Sequence, residues 1–250
     1  MNSFKGRVAI VTGGGSGIGR AVAVGLAERG ANVLITGRAQ ALLDETVAIH
    51  ANLQGFLADV ARPEDAGRTV EAAVRRWGRL DLLVNNAGAG AVRPLAEISA
   101  AQIAHILAVN VTGPSLLAQA ALPYLDATRG SIVNVSSVFG HRAAANLSHY
   151  AASKAALEHL TRCWAFELAG KGIRVNAVAP GPTESGTLTG MMGLSAEAAA
   201  DIEQREREEI PLGRRGRPDD VAPWVINLAD PASDWITGQV IDVDGGLGLA

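Results

Sequence analysis

The chain has 250 residues, 48% of them apolar, and 22 basic against 25 acidic side chains give a net charge of −3. That is enough apolar chain for one large core, and the balanced, dispersed charge excludes the basic footprint of a nucleic-acid or anionic-membrane binder. A single cysteine, Cys163, excludes an internal disulfide and fits a reducing compartment; with no leader pattern at the N-terminus and no run of 18 apolar residues, the expectation is a cytoplasmic protein without a membrane span.

In chain order, short β-branched runs alternate with Ala-rich stretches of helical period. Strands are expected at 7–12, 32–36, 55–59 (the weakest), 80–85, 131–136, 174–179 and 239–244. They read as continuous apolar runs, as strands covered on both faces should. Helices are expected at 17–29, 39–51, 63–77, 99–124, 149–169 and 218–229, with Pro63 and Pro218 at first-turn positions. The alternation predicts an α/β fold: one doubly wound parallel sheet of about seven strands with helices on both faces. Nothing divides the chain, so 1–250 is expected to be one domain. Residues 180–212 break the rhythm with a Gly-rich segment and a charged, Ala-rich helix. Long insertions of this kind are usually either functional lids or disordered loops, and this one follows the carboxyl end of a strand, where open sheets bind ligands, which favours a lid.

Three stretches carry chemistry. TGGGSGIG (12–19) lies at the first strand-to-helix turn, where glycines allow close backbone approach and a helix N-terminus offers N–H groups to a phosphate. Its Gly13, Gly17 and Gly19 depart from strict G-x-G-x-x-G spacing. The second strand ends ITGR; Gly37 stands where an NAD site places an acid, and Arg38 follows, able to grip a 2′-phosphate. Ser16 offers a further hydroxyl, so NADP(H) is expected over NAD(H). Third, Tyr150 and Lys154 stand four apart on a helix and so share a face. An ammonium beside a phenol favours the phenolate, which suits a general acid/base. The plain alternative is a packed Tyr and a solvated Lys; chance alone gives such a pair at roughly 2 in 100.

TGGGSGIG, NNAG (85–88), AVNVTGP with Asn110, NVSS (134–137), YAASK (150–154), NAVAPG (176–181) and ITGQVIDVDGG (236–246), in this order, resemble the short-chain dehydrogenase/reductase family over essentially the whole chain. The resemblance implies a Rossmann-like fold and a catalytic tetrad of Asn110, Ser137, Tyr150 and Lys154. Tyr150 would protonate a carbonyl oxygen, or deprotonate the alcohol in reverse. Lys154 would lower its pKa and bind the nicotinamide ribose; bringing a phenol to neutrality takes about 3 units, roughly 4 kcal/mol. Ser137 would orient the substrate, with Ser136 on the opposite face of the strand, and Asn110 would hold a proton-relaying water. Cofactor contacts would come from Gly13, Ser16, Gly17, Ile18, Gly19 and Arg38. Asp59 and Val60 would meet adenine, and Asn86 and Gly88 the adenosine ribose, with Tyr150 and Lys154 again at the nicotinamide end. Where many members have PGxxxT, this chain has PGPTES, so Thr183 and Ser185 both stand as candidates for the carboxamide end.

The implied function is an NADP(H)-dependent carbonyl reductase or alcohol dehydrogenase, without a metal, acting on a small ketone or secondary alcohol as a homotetramer. A 3-oxoacyl thioester reductase, an isomerase or dehydratase, and a non-catalytic NADP-binding sensor are the alternatives. His141 and His149 have no partners at metal-ligand spacing, and Arg142 is read as solvated. Leu188, Met191, Met192 and Leu194 suggest an apolar, adaptable pocket.

Overall fold

The computed structural model describes residues 3–249. Seven parallel strands form one sheet in the order β3-β2-β1-β4-β5-β6-β7: β1 Val8–Thr12, β2 Asn32–Gly37, β3 Leu53–Leu57, β4 Leu82–Asn85, β5 Ser131–Val135, β6 Arg174–Pro180 and β7 Val240–Val243. The helices are α1 Gly17–Glu28, α2 Gln40–Val47, α3 Pro63–Trp77, α4 Ala100–Leu107, α5 Gly113–Thr128, α6 Ser148–Leu168, α7 Ala196–Glu209 and α8 Pro218–Ala229.

The continuous apolar strands divide their side chains between two cores, because successive residues face opposite sides. Ala9 and Val11 of β1 pack with Val22 and Leu26 of α1 and Val225 and Ile226 of α8. Val8 and Ile10 pack with Val70 of α3, Leu117 and Leu125 of α5 and Leu168 of α6. Local signals set the helix ends. In α3, Pro63 opens the first turn with Glu64 and Asp65, Arg75 and Arg76 lie in the last turn, and Gly78 caps it at φ 74°. In α4, Ser99 and Gln102 form a capping box.

The boundary differences with a clear local cause are three; β4 also starts two residues later than expected, at Leu82, and α5 runs on to Thr128. The third strand runs Leu53–Leu57, two residues earlier than 55–59, because the Asp59 N–H is drawn to the Asp65 carboxylate (2.9 Å), which turns the chain off the sheet edge. The second helix ends at Val47, where Ile49 N–H bonds back to Thr46 and the His50 ring accepts from Asn52 N–H. The expected helix 99–124 is α4 and α5 joined by a π-helical turn, Ala108–Thr112. Pro114 has no N–H to give the carbonyl of Asn110, a local reason for the ladder to widen there. An 18-residue window within Ala100–Thr128 has a mean hydropathy of 1.3, and the segment has the length to span a bilayer by composition alone; here Leu117, Ala121 and Leu125 are packed on the sheet.

The strand order reverses between β1 and β4, whose carboxyl ends flank the crevice in which doubly wound sheets bind ligands.

Candidate active site

A cleft of about 940 Å³ opens along those carboxyl ends. At one end lies the glycine turn. Gly13 (φ +66°) and Gly17 (φ +51°) hold left-handed backbone, and a side chain at Gly19 would collide with the Gly13 carbonyl. Ser16 stands at the N-cap of α1, yet its hydroxyl makes no cap bond, so it and the first N–H groups of the helix are free for an anion. The turn is braced from behind. Asn86 Nδ2 donates to the carbonyls of Thr12 (2.8 Å) and Gly13 (3.3 Å), and Arg20 donates to the Gly15 carbonyl (2.6 Å) while held by Thr46 Oγ1 (2.9 Å) and Glu45 (3.1 Å). Ile18, Arg38, Asp59 and Val60 complete this end of the cleft, with Arg38 exposed. A glycine cradle, open N–H groups and an adjacent cation fit a dinucleotide's phosphates.

At the other end, α6 presents Tyr150 and Lys154, only 8% and 3% exposed. Lys154 Nζ donates to the Val135 carbonyl at 2.9 Å and lies 5.8 Å from the Tyr150 ring centroid. Burial pushes Lys154 down to about 8, opposed by the charge of Glu158. Burial also pushes Tyr150 above its usual range, opposed by a hydrogen bond with Ser137. The expected depression of the Tyr150 pKa is therefore not found: desolvation outweighs the hydrogen bond with Ser137.

Ser136 and Ser137 both line this cleft, but the Ser136 hydroxyl is engaged, its Oγ donating to Glu158 Oε1 at 2.9 Å. Asn110 lies behind the lining in the π turn, fully buried; its amide exchanges two 2.8 Å bonds with the Ala89 backbone and donates a third to Ser153 Oγ. Gly88 leaves room for the Lys154 ammonium, which stands 3.7 Å from where its Cβ would be. The Thr183 hydroxyl is spent on the Gly181 carbonyl (2.9 Å), whereas Ser185 bonds Thr187 (2.7 Å) and abuts Gly17. Ser185 thus stands at the phosphate end of the cleft. The structure brings all these predicted residues to one cleft, with Gly19 and Asn110 just beneath its surface.

Two groups went unread in the sequence. Glu158, 3% exposed, meets Ser136 and His141 Nδ1 (3.1 Å), and His141 Nε2 meets Asp242 (3.2 Å); its spacing of four from Lys154 was the available signal. Arg215, 4% exposed, pairs with Glu203 (2.6 Å) and Glu206 (2.8 Å) of α7 and donates to the Thr183 carbonyl (3.1 Å), fastening the 180–212 segment over the cleft. Among the described residues, no three His, Cys, Asp or Glu side chains are grouped to hold a metal.

A family model described as enoyl-(acyl carrier protein) reductase matches residues 13–248. The 3-oxoacyl-[acyl-carrier-protein] reductase of Thermotoga maritima is 38% identical over 249 residues, covering 98% of each chain. The 2-(S)-hydroxypropyl-CoM dehydrogenase 3 of Xanthobacter autotrophicus is 37% identical over 251 residues, again 98% of each. A crystal structure of 3-ketoacyl-(acyl-carrier-protein) reductase from Brucella melitensis, complexed with NADH, superposes with a TM-score of 0.91 at 33% identity, covering 98% of this chain and 99% of that one.

Proposed function

The chain belongs to the short-chain dehydrogenase/reductase family of oxidoreductases, and from that premise we propose that it is an NADP(H)-dependent enzyme interconverting a ketone and a secondary alcohol. The observation that carries the reading is the buried Tyr150–Lys154 pair with Ser137, sharing one cleft with the glycine turn. When bound, the reduced nicotinamide supplies the hydride for the carbonyl carbon. Ser137 holds the carbonyl oxygen, and Tyr150 gives it the phenolic proton, or takes that proton from the alcohol in oxidation. Lys154 stabilises the phenolate that results and binds the nicotinamide ribose. Asn110 holds the water that returns protons to Lys154. In the oxidative direction, Lys154 together with the positive ring of a bound oxidised nicotinamide would favour the Tyr150 phenolate.

NADP(H) is preferred over NAD(H) because Arg38 and Ser16 offer a 2′-phosphate a cation and a free hydroxyl where no acid repels it. The NADH complex of the Brucella relative makes this a property to measure in this chain. The enzyme works as one domain, in the cytoplasm, and as a homotetramer. A second reading, reduction of 3-oxoacyl thioesters, is favoured by the names of two relatives.

The test is turnover of a ketone and alcohol panel with each cofactor, followed by nicotinamide absorbance. Tyr150→Phe is expected to lose at least about 10³-fold in kcat while still binding cofactor, and Arg38→Ala to weaken NADP(H) and not NAD(H). A Tyr150→Phe enzyme with near-normal rate overturns the mechanism. Net isomerisation without oxidation would point instead to the isomerase or dehydratase chemistry of the same fold.

A further inference from the structure

A carboxylate buried one helical turn from the site has no part in the chemistry described so far. Glu158 lies four residues after Lys154 on α6, and both are nearly sealed from solvent at 3% exposure. At that spacing the two share a helix face. Among the described residues, the one hydrogen bond of Lys154 Nζ goes to a neutral carbonyl, that of Val135. A buried ammonium without a counter-charge is costly, and Glu158 is the acid whose charge favours it.

The surroundings hold that carboxylate in place. Ser136 Oγ donates to Glu158 Oε1 at 2.9 Å and lies 3.3 Å from the Lys154 carbonyl. His141 Nδ1 stands 3.1 Å from the same oxygen. Gly140 passes so close that a side chain there would collide with Oε1, and its bare backbone closes the site over the carboxylate. The titratable groups around Glu158 are therefore His141 from the loop after β5, in direct contact, and Lys154 one turn earlier on its own helix. Asp242 of β7 reaches it only through His141 Nε2, at 3.2 Å.

We propose that Glu158 is a positioning residue for proton transfer: its buried carboxylate holds Lys154 in the ammonium form and so sets the pH at which the Tyr150–Lys154 pair gives up its protons. The proposal rests on the roles given to Tyr150 and Lys154 above. Carbonyl reduction needs both groups protonated, so its rate falls at high pH as the pair deprotonates. A nearby negative charge raises the proton affinity of both members, whichever loses its proton first. Removing the charge moves the alkaline fall to lower pH.

The experiment is the pH profile of kcat for carbonyl reduction by the wild type, Glu158→Gln and Glu158→Asp, each saturated with cofactor. Glu158→Gln keeps the shape and a partner for Ser136 while removing the charge, and its alkaline midpoint is expected about one pH unit or more below the wild type. Glu158→Asp keeps the charge and a midpoint near the wild type. A purely structural role for Glu158 would lower stability and leave the midpoint in place; an unmoved midpoint in a folded Glu158→Gln enzyme overturns the proposal. If that variant does not fold, the wild type decides. A midpoint set by a buried charge stays fixed when salt rises from about 0.05 to about 0.5 M, and one set by surface charges moves. Tyr150→Phe separates the two claims: if it turns over normally, the acid/base reading fails, whereas a dead Tyr150→Phe with an unmoved Glu158→Gln midpoint sinks only the role of Glu158.

Discussion

Lys154 couples the site to the stability of the cofactor-free protein. Its folded pKa is about 8 against an ordinary 10.5. Between those values the unfolded chain binds more protons than the folded one, so unfolding free energy rises with pH. The contribution is complete above about 10.5 and is lost as pH falls through about 8, an upper bound of about 3 kcal/mol. Denaturant unfolding of the wild type and Lys154→Met from pH 7 to 10 checks this: the wild type should gain on the variant across that window, and parallel curves would contradict it. Tyr150, raised by burial, acts with the opposite sign only above its ordinary value of 10. The protein thus tolerates a costly cation at the place where the proposed mechanism calls for one.

Helix α7 is fastened by one buried cation, with the more exposed pairs Arg207–Glu184 and Arg142–Glu209 beside it. Arg215 ties Glu203, Glu206 and the Thr183 carbonyl together, and burial holds the Glu206 carboxyl above its usual range against the pull of Arg215. Arg215→Ala leaves those acids facing each other and should cost about 1–3 kcal/mol locally. The expected signature is faster proteolysis between Gly186 and Gly213 and a raised KM for the ketone, with KM for the cofactor changed little. Equal protease resistance in the two proteins would count against the clamp. The existence of this helix was legible in the sequence, since SAEAAADIEQREREE carries its own helical period and an N-cap serine whose Oγ accepts from Ala198 N–H. So were the strands with mostly apolar runs, the weak third one being read two residues late, and the placement of Tyr150 and Lys154, which the period of one helix fixes. The break at Ala108–Thr112 was not, because apolar residues on both sides continue the pattern and only the missing N–H of Pro114 hints at it. Glu158 and Arg215 were unreadable for a different reason. A charged residue inside a helix or loop reads as solvated, and what encloses these two is the turn at Gly140 over Glu158 and α7 with the Thr183 carbonyl around Arg215.

At the scale of the molecule, the described surface carries large apolar side chains that the monomer leaves bare: Phe166 on α6 is 91% exposed and Trp235, before β7, is 98% exposed. Each would gain about 1.5–3 kcal/mol if covered, and the homotetramer proposed above is one assembly that could cover them. Phe166→Glu should lower the sedimenting mass to dimers or monomers, and an unchanged mass would place Phe166 outside any subunit contact. The sheet order has a further consequence, in time. Strand β1 pairs with β4 across some seventy residues, Ala9 beside Leu82, and β5 and β6 must then add before Ser137 and Thr183 reach the cleft. Such long-range parallel pairing is slow. A refolding chain will regain helix first and turnover last, so returning activity is the clock of the finished sheet.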